Sequence, residues 1–167
     1  FTERYARWIA RDLDCPIFPA KPFPAQKLAG FDTVIFGGGL YAGGVSGIRQ
    51  LIANRKALSS KKVILFTCGL ADPFVPDNAA HIRASLEKNL PPEMMESIHF
   101  YHLRGGIDYS RLNFVHRSMM AMLQKTLQKK DPRTLGPEDL QLLETYGKRI
   151  DFTDPDSIKP LVEDART

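Results

Sequence analysis

The stretch Thr33-Val34-Ile35-Phe36-Gly37-Gly38-Gly39-Leu40-Tyr41-Ala42-Gly43-Gly44 decides how this chain is read. A short apolar run without alternation passes into a cluster that, with Gly47, holds six of the 12 glycines. Continuous apolar strands belong to sheets covered on both faces, as in parallel α/β proteins. Glycine just beyond the strand lets backbone approach a ligand closely and reach positive φ. The pattern recurs twice. Val63-Ile64-Leu65-Phe66 leads into Thr67-Cys68-Gly69-Leu70-Ala71-Asp72-Pro73, and Ile98 to Leu103 leads into Arg104-Gly105-Gly106-Ile107-Asp108-Tyr109. Open α/β sheets bind ligands at the carboxyl ends of their strands. Any one of these ends reads equally well as a turn, but three together point to a shared site.

Helical patterns separate the strands. Tyr5, Trp8, Ile9 and Leu13 follow the spacing of an amphipathic helix, with Thr2 as its expected N-cap. Further helices are expected over Ser46 to Leu58, Asp77 to Leu90 and Ser110 to Lys130. Pro137 opens a short helix and Asp154-Pro155-Asp156 opens a last one, in which Pro160 is an awkward interior residue. Ile158, Leu161, Val162 and Ala165 supply its apolar face. Cys15 to Pro19 is expected to be a short edge strand, since Pro16 and Pro19 exclude a central position. A doubly wound sheet begins with a strand, yet here the first helix precedes every strong strand. The first strand and its phosphate-binding turn are therefore expected upstream of Phe1.

At 167 residues, 43% hydrophobic and 25% charged, the chain has the makings of one globular domain, which excludes extensive disorder. No apolar run approaches membrane-spanning length. Cys15 and Cys68 cannot form a disulfide framework or a four-cysteine zinc site, and His81, His99, His102 and His116 lack metal spacing. His99 and His102, three apart on a strand, should face opposite sides. Cys68 could be redox-active, but a small buried apolar role is favoured. No catalytic side chains can be assigned, and a cytoplasmic location is the default. The glycine stretch lacks the acidic partner of a dinucleotide fingerprint and the Lys-Ser/Thr of a P-loop. A flat ring held by backbone amides and an aromatic suits it better.

These residues carry a resemblance. Thr2-x-x-Tyr5-Ala6-x-Trp8-Ile9-Ala10, Phe31 to Gly43, Lys62-Val63-x-x-Phe66-Thr67-x-Gly69, Gly105 to Tyr109 and Phe152-Thr153-Asp154 resemble the flavodoxin-domain family. The nearest branch includes menaquinone-dependent protoporphyrinogen oxidase-like proteins. The resemblance implies an α/β, flavodoxin-like doubly wound parallel sheet of order 2-1-3-4-5 over residues 1–167. The first strand and phosphate loop are missing from it, and a helical insertion at about 110–148 follows the last strand. It implies FMN as cofactor. Gly37, Gly38, Gly39, Leu40, Tyr41, Ala42 and Gly43 would form the first flavin loop, with Tyr41 stacking on the ring. Thr67, Cys68, Gly69 and Leu70 would form the second, and Thr2 would help hold the phosphate. Tyr41 also reads as a solvent-facing turn residue.

Electron transfer is the implied function. One alternative is a protoporphyrinogen oxidase-like FMN enzyme linked to quinone at a membrane surface. Against it, those enzymes carry an Arg-Tyr-Gly-His-like loop where this chain has Leu40-Tyr41-Ala42-Gly43. The other is a flavin-free interaction domain of the same fold. Net charge is +4, from 23 basic and 19 acidic residues. Arg111, Arg117, Lys125, Lys129 and Lys130 lie in a segment, Tyr109 to Lys130, without a single acid. Leu112, Val115, Met119, Met122, Leu123 and Leu127 form one apolar helical face there, broadened by Phe114 and Met120. The face could pack into a core, or meet quinone, porphyrin or anionic lipid. The expected partners are a redox protein or quinone/porphyrin, with peripheral contact to anionic membrane through 111–130 and no role for nucleic acid.

Overall fold

The computed structural model describes residues 1–21, 23, 25–41 and 44–167. In chain order the elements are α1 (Thr2–Leu13), β1 (Thr33–Tyr41), β2 (Gly44–Val45), α2 (Ile48–Ala53), α3 (Arg55–Leu58), β3 (Lys62–Gly69), α4 (Pro76–Asn89), α5 (Pro92–Ser97), β4 (Ile98–Arg104), β5 (Gly106–Asp108), α6 (Phe114–Gln128), α7 (Pro137–Thr145), β6 (Arg149–Asp151) and α8 (Lys159–Arg166). The chain divides into two compact units, Phe1–Gly105 with Thr153–Thr167, and Gly106–Phe152.

The larger unit is α/β, with a mostly parallel sheet ordered β2-β1-β3-β4. Val34 pairs with Val63 and Val63 with Ile98, so the three apolar runs lie side by side in chain order. Only β2 is antiparallel, joined to the end of β1 at Leu40↔Val45. Side chains of β3 alternate between the two faces. Val63 and Leu65 join Leu28, Val45, Ile48, Leu51, Leu58, Ile82 and Leu86 on one face. Ile64, Phe66 and Cys68 join Tyr5, Ile9, Leu103, Ile158, Leu161 and Val162 on the other. Helices thus cover both faces, which is why the strands need no polar side.

Several expectations are corrected. Cys15–Pro19 is irregular, not an edge strand. Pro16 and Pro19 have no N–H to donate, and no strand lies beside this run among the described residues. The helix expected over Ser46 to Leu58 is broken into α2 and α3 at Asn54, whose side-chain amide donates to the Gln50 carbonyl at 2.8 Å. Thr2 is the first helical residue and not the N-cap, a position held by Phe1. Pro160 is harmless, because α8 begins at Lys159 and the proline sits in its first turn, after a short 3-10 turn capped by Asp154.

In the smaller unit β5 and β6 form an antiparallel pair that the sequence reading did not anticipate. The helix expected from Ser110 begins only at Phe114, where Asn113 accepts from the His116 amide at 2.8 Å. Tyr109 is buried against Tyr146 in an edge-on ring contact. The apolar face expected on this helix is outward. Val115, Met119, Met122 and Leu123 are exposed, and of the helix only Leu127 is buried.

At the amino-terminal end of the parallel strands Asp164 of α8 gathers a polar network. Its carboxylate lies 2.7 Å from Lys62 Nζ and 2.7 Å from His99 Nδ1, and accepts from the Tyr101 hydroxyl at 3.0 Å. Lys62 also donates to the Asp164 carbonyl. Burial pushes the carboxyl pKa up, but the hydrogen bonds from Lys62, His99 and Tyr101 outweigh it and hold the value at about 2. A carboxylate depressed in the fold stabilises above its unfolded pKa of 3.8, and the gain is lost as pH falls towards about 2. Asp164→Asn is expected to cost about 2 kcal/mol at neutral pH, and the gap to wild type should close below about pH 4. Thermal unfolding of both proteins across that range checks it.

Candidate functional site

The carboxyl ends of β1, β3 and β4 come together, and α1 starts beside them. A Cβ on Gly39 would stand 3.4 Å from Thr2 Oγ1 and 3.2 Å from Tyr41 Cε2. A Cβ on Gly105 would meet Cys68 Sγ at 2.6 Å and Phe1 Cβ at 3.4 Å. Thr2, Gly39, Tyr41, Cys68, Gly69 and Gly105 are therefore neighbours at one edge of the sheet. Tyr41 is 55% exposed there. Ala42 and Gly43 of the expected first loop lie outside the described residues.

The glycines do not all serve the same end. Gly37 pairs with Phe66 across the sheet, and a Cβ there would sit 2.2 Å from Phe66 Cζ. Gly38 is pressed by Val45 Cγ1 at 2.3 Å. Both make room for the fold itself. Gly39 differs, because its surroundings are a hydroxyl and an exposed ring. Leu40 covers Gly69, whose carbonyl accepts from the Gly105 amide at 2.6 Å and so extends the β3–β4 ladder by one bond.

In the second expected loop, Thr67 is fully buried and its Oγ1 lies 2.8 Å from His102 Nδ1. Burial, then the nearby positive charge of Arg83, pushes the His102 pKa down, so the ring is neutral at neutral pH. Asp164 and Thr67 hold His99 and His102 on opposite sides of β4, as their spacing predicted. Cys68 is buried in the core shared with α1 and α8. Its Sγ packs against Gly105, where a Cβ would come within 2.6 Å of it. Leu70 lends its carbonyl to Arg104 Nε at 3.4 Å, while Arg104 Nη1 pairs with Asp72 Oδ2 at 3.0 Å. Asp72 in turn accepts from the Phe74 amide at 3.0 Å, and its carbonyl accepts from Asn78 Nδ2 at 3.0 Å.

This pinned turn holds up a residue that sequence reasoning missed. Phe74 is 89% exposed, on the loop that follows β3. The available signal was an aromatic in Asp72-Pro73-Phe74, outside any helical or strand period. Among the described residues no group of His, Cys, Asp and Glu could hold a metal ion, and no helix is long and apolar enough to cross a membrane.

A mostly parallel, doubly covered sheet with glycine-bearing strand ends defines a domain of the open α/β class, in which ligands bind at the carboxyl ends of the strands. A family model described as flavodoxin domain matches residues 1–134, and the chain belongs to that family. No curated protein and no solved structure matches it. Flavodoxin domains are, as a family, flavin-binding redox modules.

The residues fit such a group. Gly39 lets Thr2 and the Tyr41 ring approach one strand end closely, and Thr2 lies in the first turn of α1, where amides without intrahelical partners favour an anion. The two roles of the glycines separate by mutation. Gly37→Ala should destabilise the protein by roughly 1–3 kcal/mol, since the Phe66 ring must move. Gly39→Ala should change stability by less than about 0.5 kcal/mol, because exposed Tyr41 can yield. Denaturant titration of the two variants reads the difference.

Proposed function

We propose that this chain is an FMN-binding domain that carries out electron transfer. The observation that carries the reading is the meeting, at buried Gly39 on the end of β1, of Thr2 at the start of α1 and the exposed ring of Tyr41. FMN, when bound, supplies the reversible uptake of one or two electrons. Tyr41 would stack on the flat ring, and exposed Phe74 on the loop after β3 would limit solvent access. The backbone of Gly39, Leu40 and Thr67 to Leu70 would face the polar edge of a bound flavin, where amides would stabilise negative charge. Thr2 and the first turn of α1 hold the phosphate.

In the order 2-1-3-4-5, β1, β3 and β4 are strands 3, 4 and 5. The edge of β1 turned away from β3 is then where strand 1 pairs. From Thr33 to Gly38 that edge has no ladder partner among the described residues. Between Leu40 and Gly44 the chain has neither the Arg nor the His of the oxidases' Arg-Tyr-Gly-His-like loop. This supports electron transfer over the protoporphyrinogen oxidase-like alternative.

Tyr41→Ala in the natural full-length protein is expected to weaken FMN binding by roughly 1–3 kcal/mol, the worth of a stacked, partly buried aromatic. The melting temperature of the flavin-free form should stay nearly unchanged. Fluorescence-quenching titrations with FMN and riboflavin measure it. An unchanged dissociation constant would make Tyr41 a turn residue, and absence of flavin binding by the parent protein would leave an interaction domain.

A further inference from the structure

We infer that α6 is a docking element for an anionic lipid surface, a role that does not depend on flavin binding. The helix has fifteen residues and is therefore about 22 Å long, with sides of opposite character. Leu127 is buried, and His116, Met120 and Gln124 on the same side are partly covered. At 100° per residue, Val115, Met119 and Met122 project from the opposite side, flanked by Phe114 and Leu123. Phe114 is 84% exposed and Met122 is 71% exposed. Five large apolar side chains on one helix are left to water, whereas the apolar residues of β3 are buried on both faces.

The charge around this stripe selects its partner. Lys125, Lys129 and Lys130 stand at its carboxyl-terminal end, and Arg111 and Arg117 near its start, with no acid from Tyr109 to Lys130. Arg111 reaches Asp108 only at 3.8 Å, and Arg117, Lys125, Lys129 and Lys130 enter no ion pair among the described residues. Ser118, Ala121, Met122, Lys125, Thr126 and Lys129 line a shallow depression on this same side. An apolar protein partner would satisfy the stripe but gain nothing from the lysines. An acidic protein surface would satisfy the lysines but leave Phe114 and Met122 in water. A bilayer with anionic headgroups accepts both, because apolar side chains enter the acyl boundary while lysines extend their ammonium groups to the phosphates. Methionine and phenylalanine suit this contact, since neither brings a polar group that burial would strand.

The test is co-sedimentation of the full chain with vesicles, with or without flavin. One set is phosphatidylcholine alone, and the other contains about one-quarter phosphatidylglycerol. Binding is expected only to the anionic set at low salt, falling about tenfold or more near physiological ionic strength. The triple variant Lys125→Gln, Lys129→Gln, Lys130→Gln and the double variant Phe114→Ser, Met122→Ser should each lose it by a similar factor. All five residues are exposed, and circular dichroism will show that both variants remain folded. No sedimentation with anionic vesicles at low salt overturns the proposal. Loss in the triple variant with full binding by the double variant would also overturn it, because only charge would then matter. So would a wild-type dimer in analytical ultracentrifugation that Phe114→Ser, Met122→Ser dissolves, since the stripe would then be covered by a second copy. Failure of flavin titration leaves this result standing, and failure here leaves the flavin site standing.

Discussion

The larger unit depends on the burial of β3. It has parallel neighbours on both sides, and from Val63 to Cys68 every side chain is buried. A strand in that position can be apolar throughout only if helices cover both faces, and they do: α1 and α8 on one side, α2 to α5 on the other. Burying such side chains contributes roughly 1.5–3 kcal/mol each, so no other strand matters as much to stability. β1 pairs with a parallel strand on one side only, and its Val34, Ile35 and Phe36 stay half-buried. Packing falls off towards that edge.

Two polar knots fix the α1 and α8 side of this layer at its opposite ends. At one end the Tyr5 hydroxyl, fully buried, donates to the Arg104 carbonyl at 2.6 Å and accepts from the Asp154 amide at 3.1 Å. One side chain of α1 thereby holds both the last residue of β4 and the entry to the final helix. A buried hydroxyl left unpaired would be costly, so the three segments are tied together. At the other end Asp164 holds Lys62, His99 and Tyr101. With the helices held at both ends, α1 starts beside Gly39 and Gly105, which is what makes the strand ends a crevice.

Close approach, not loop flexibility, dominates the glycines of this crevice. Gly37 and Gly105 are needed because a ring and a sulfur occupy the space a Cβ would take. The same packing buries the Cys68 thiol against Gly105 and keeps Thr67 tied to His102. What reaches solvent at this end of the sheet is the ring of Tyr41, beside half-buried Thr2 and buried Gly39, with Phe74 exposed on the next loop. The neutrality of His102 follows from the same burial, so the pair with Thr67 holds position without adding charge beside the crevice.

The order of elements was legible in the sequence, because continuous apolar runs, proline punctuation and helical spacing are local signals. Val63 to Phe66 reads as a doubly covered strand on composition alone, and Ile158, Leu161 and Val162 read as the buried face they form. The three glycine-bearing strand ends were also legible, and so was the family. Which side chain each glycine makes room for was not, since that depends on Phe66, Val45 and Cys68 arriving from other strands and on Thr2 from α1. Nor could spacing show that Cys15–Pro19 stays irregular, because a strand needs a partner as well as a pattern. For α6 the period left a core-facing and an outward stripe both open, as periodicity says that an apolar stripe exists but not what covers it. Local chemistry sets the periods and the caps. Only the tertiary structure decides which surfaces meet, because burial is a property of neighbours brought from far along the chain.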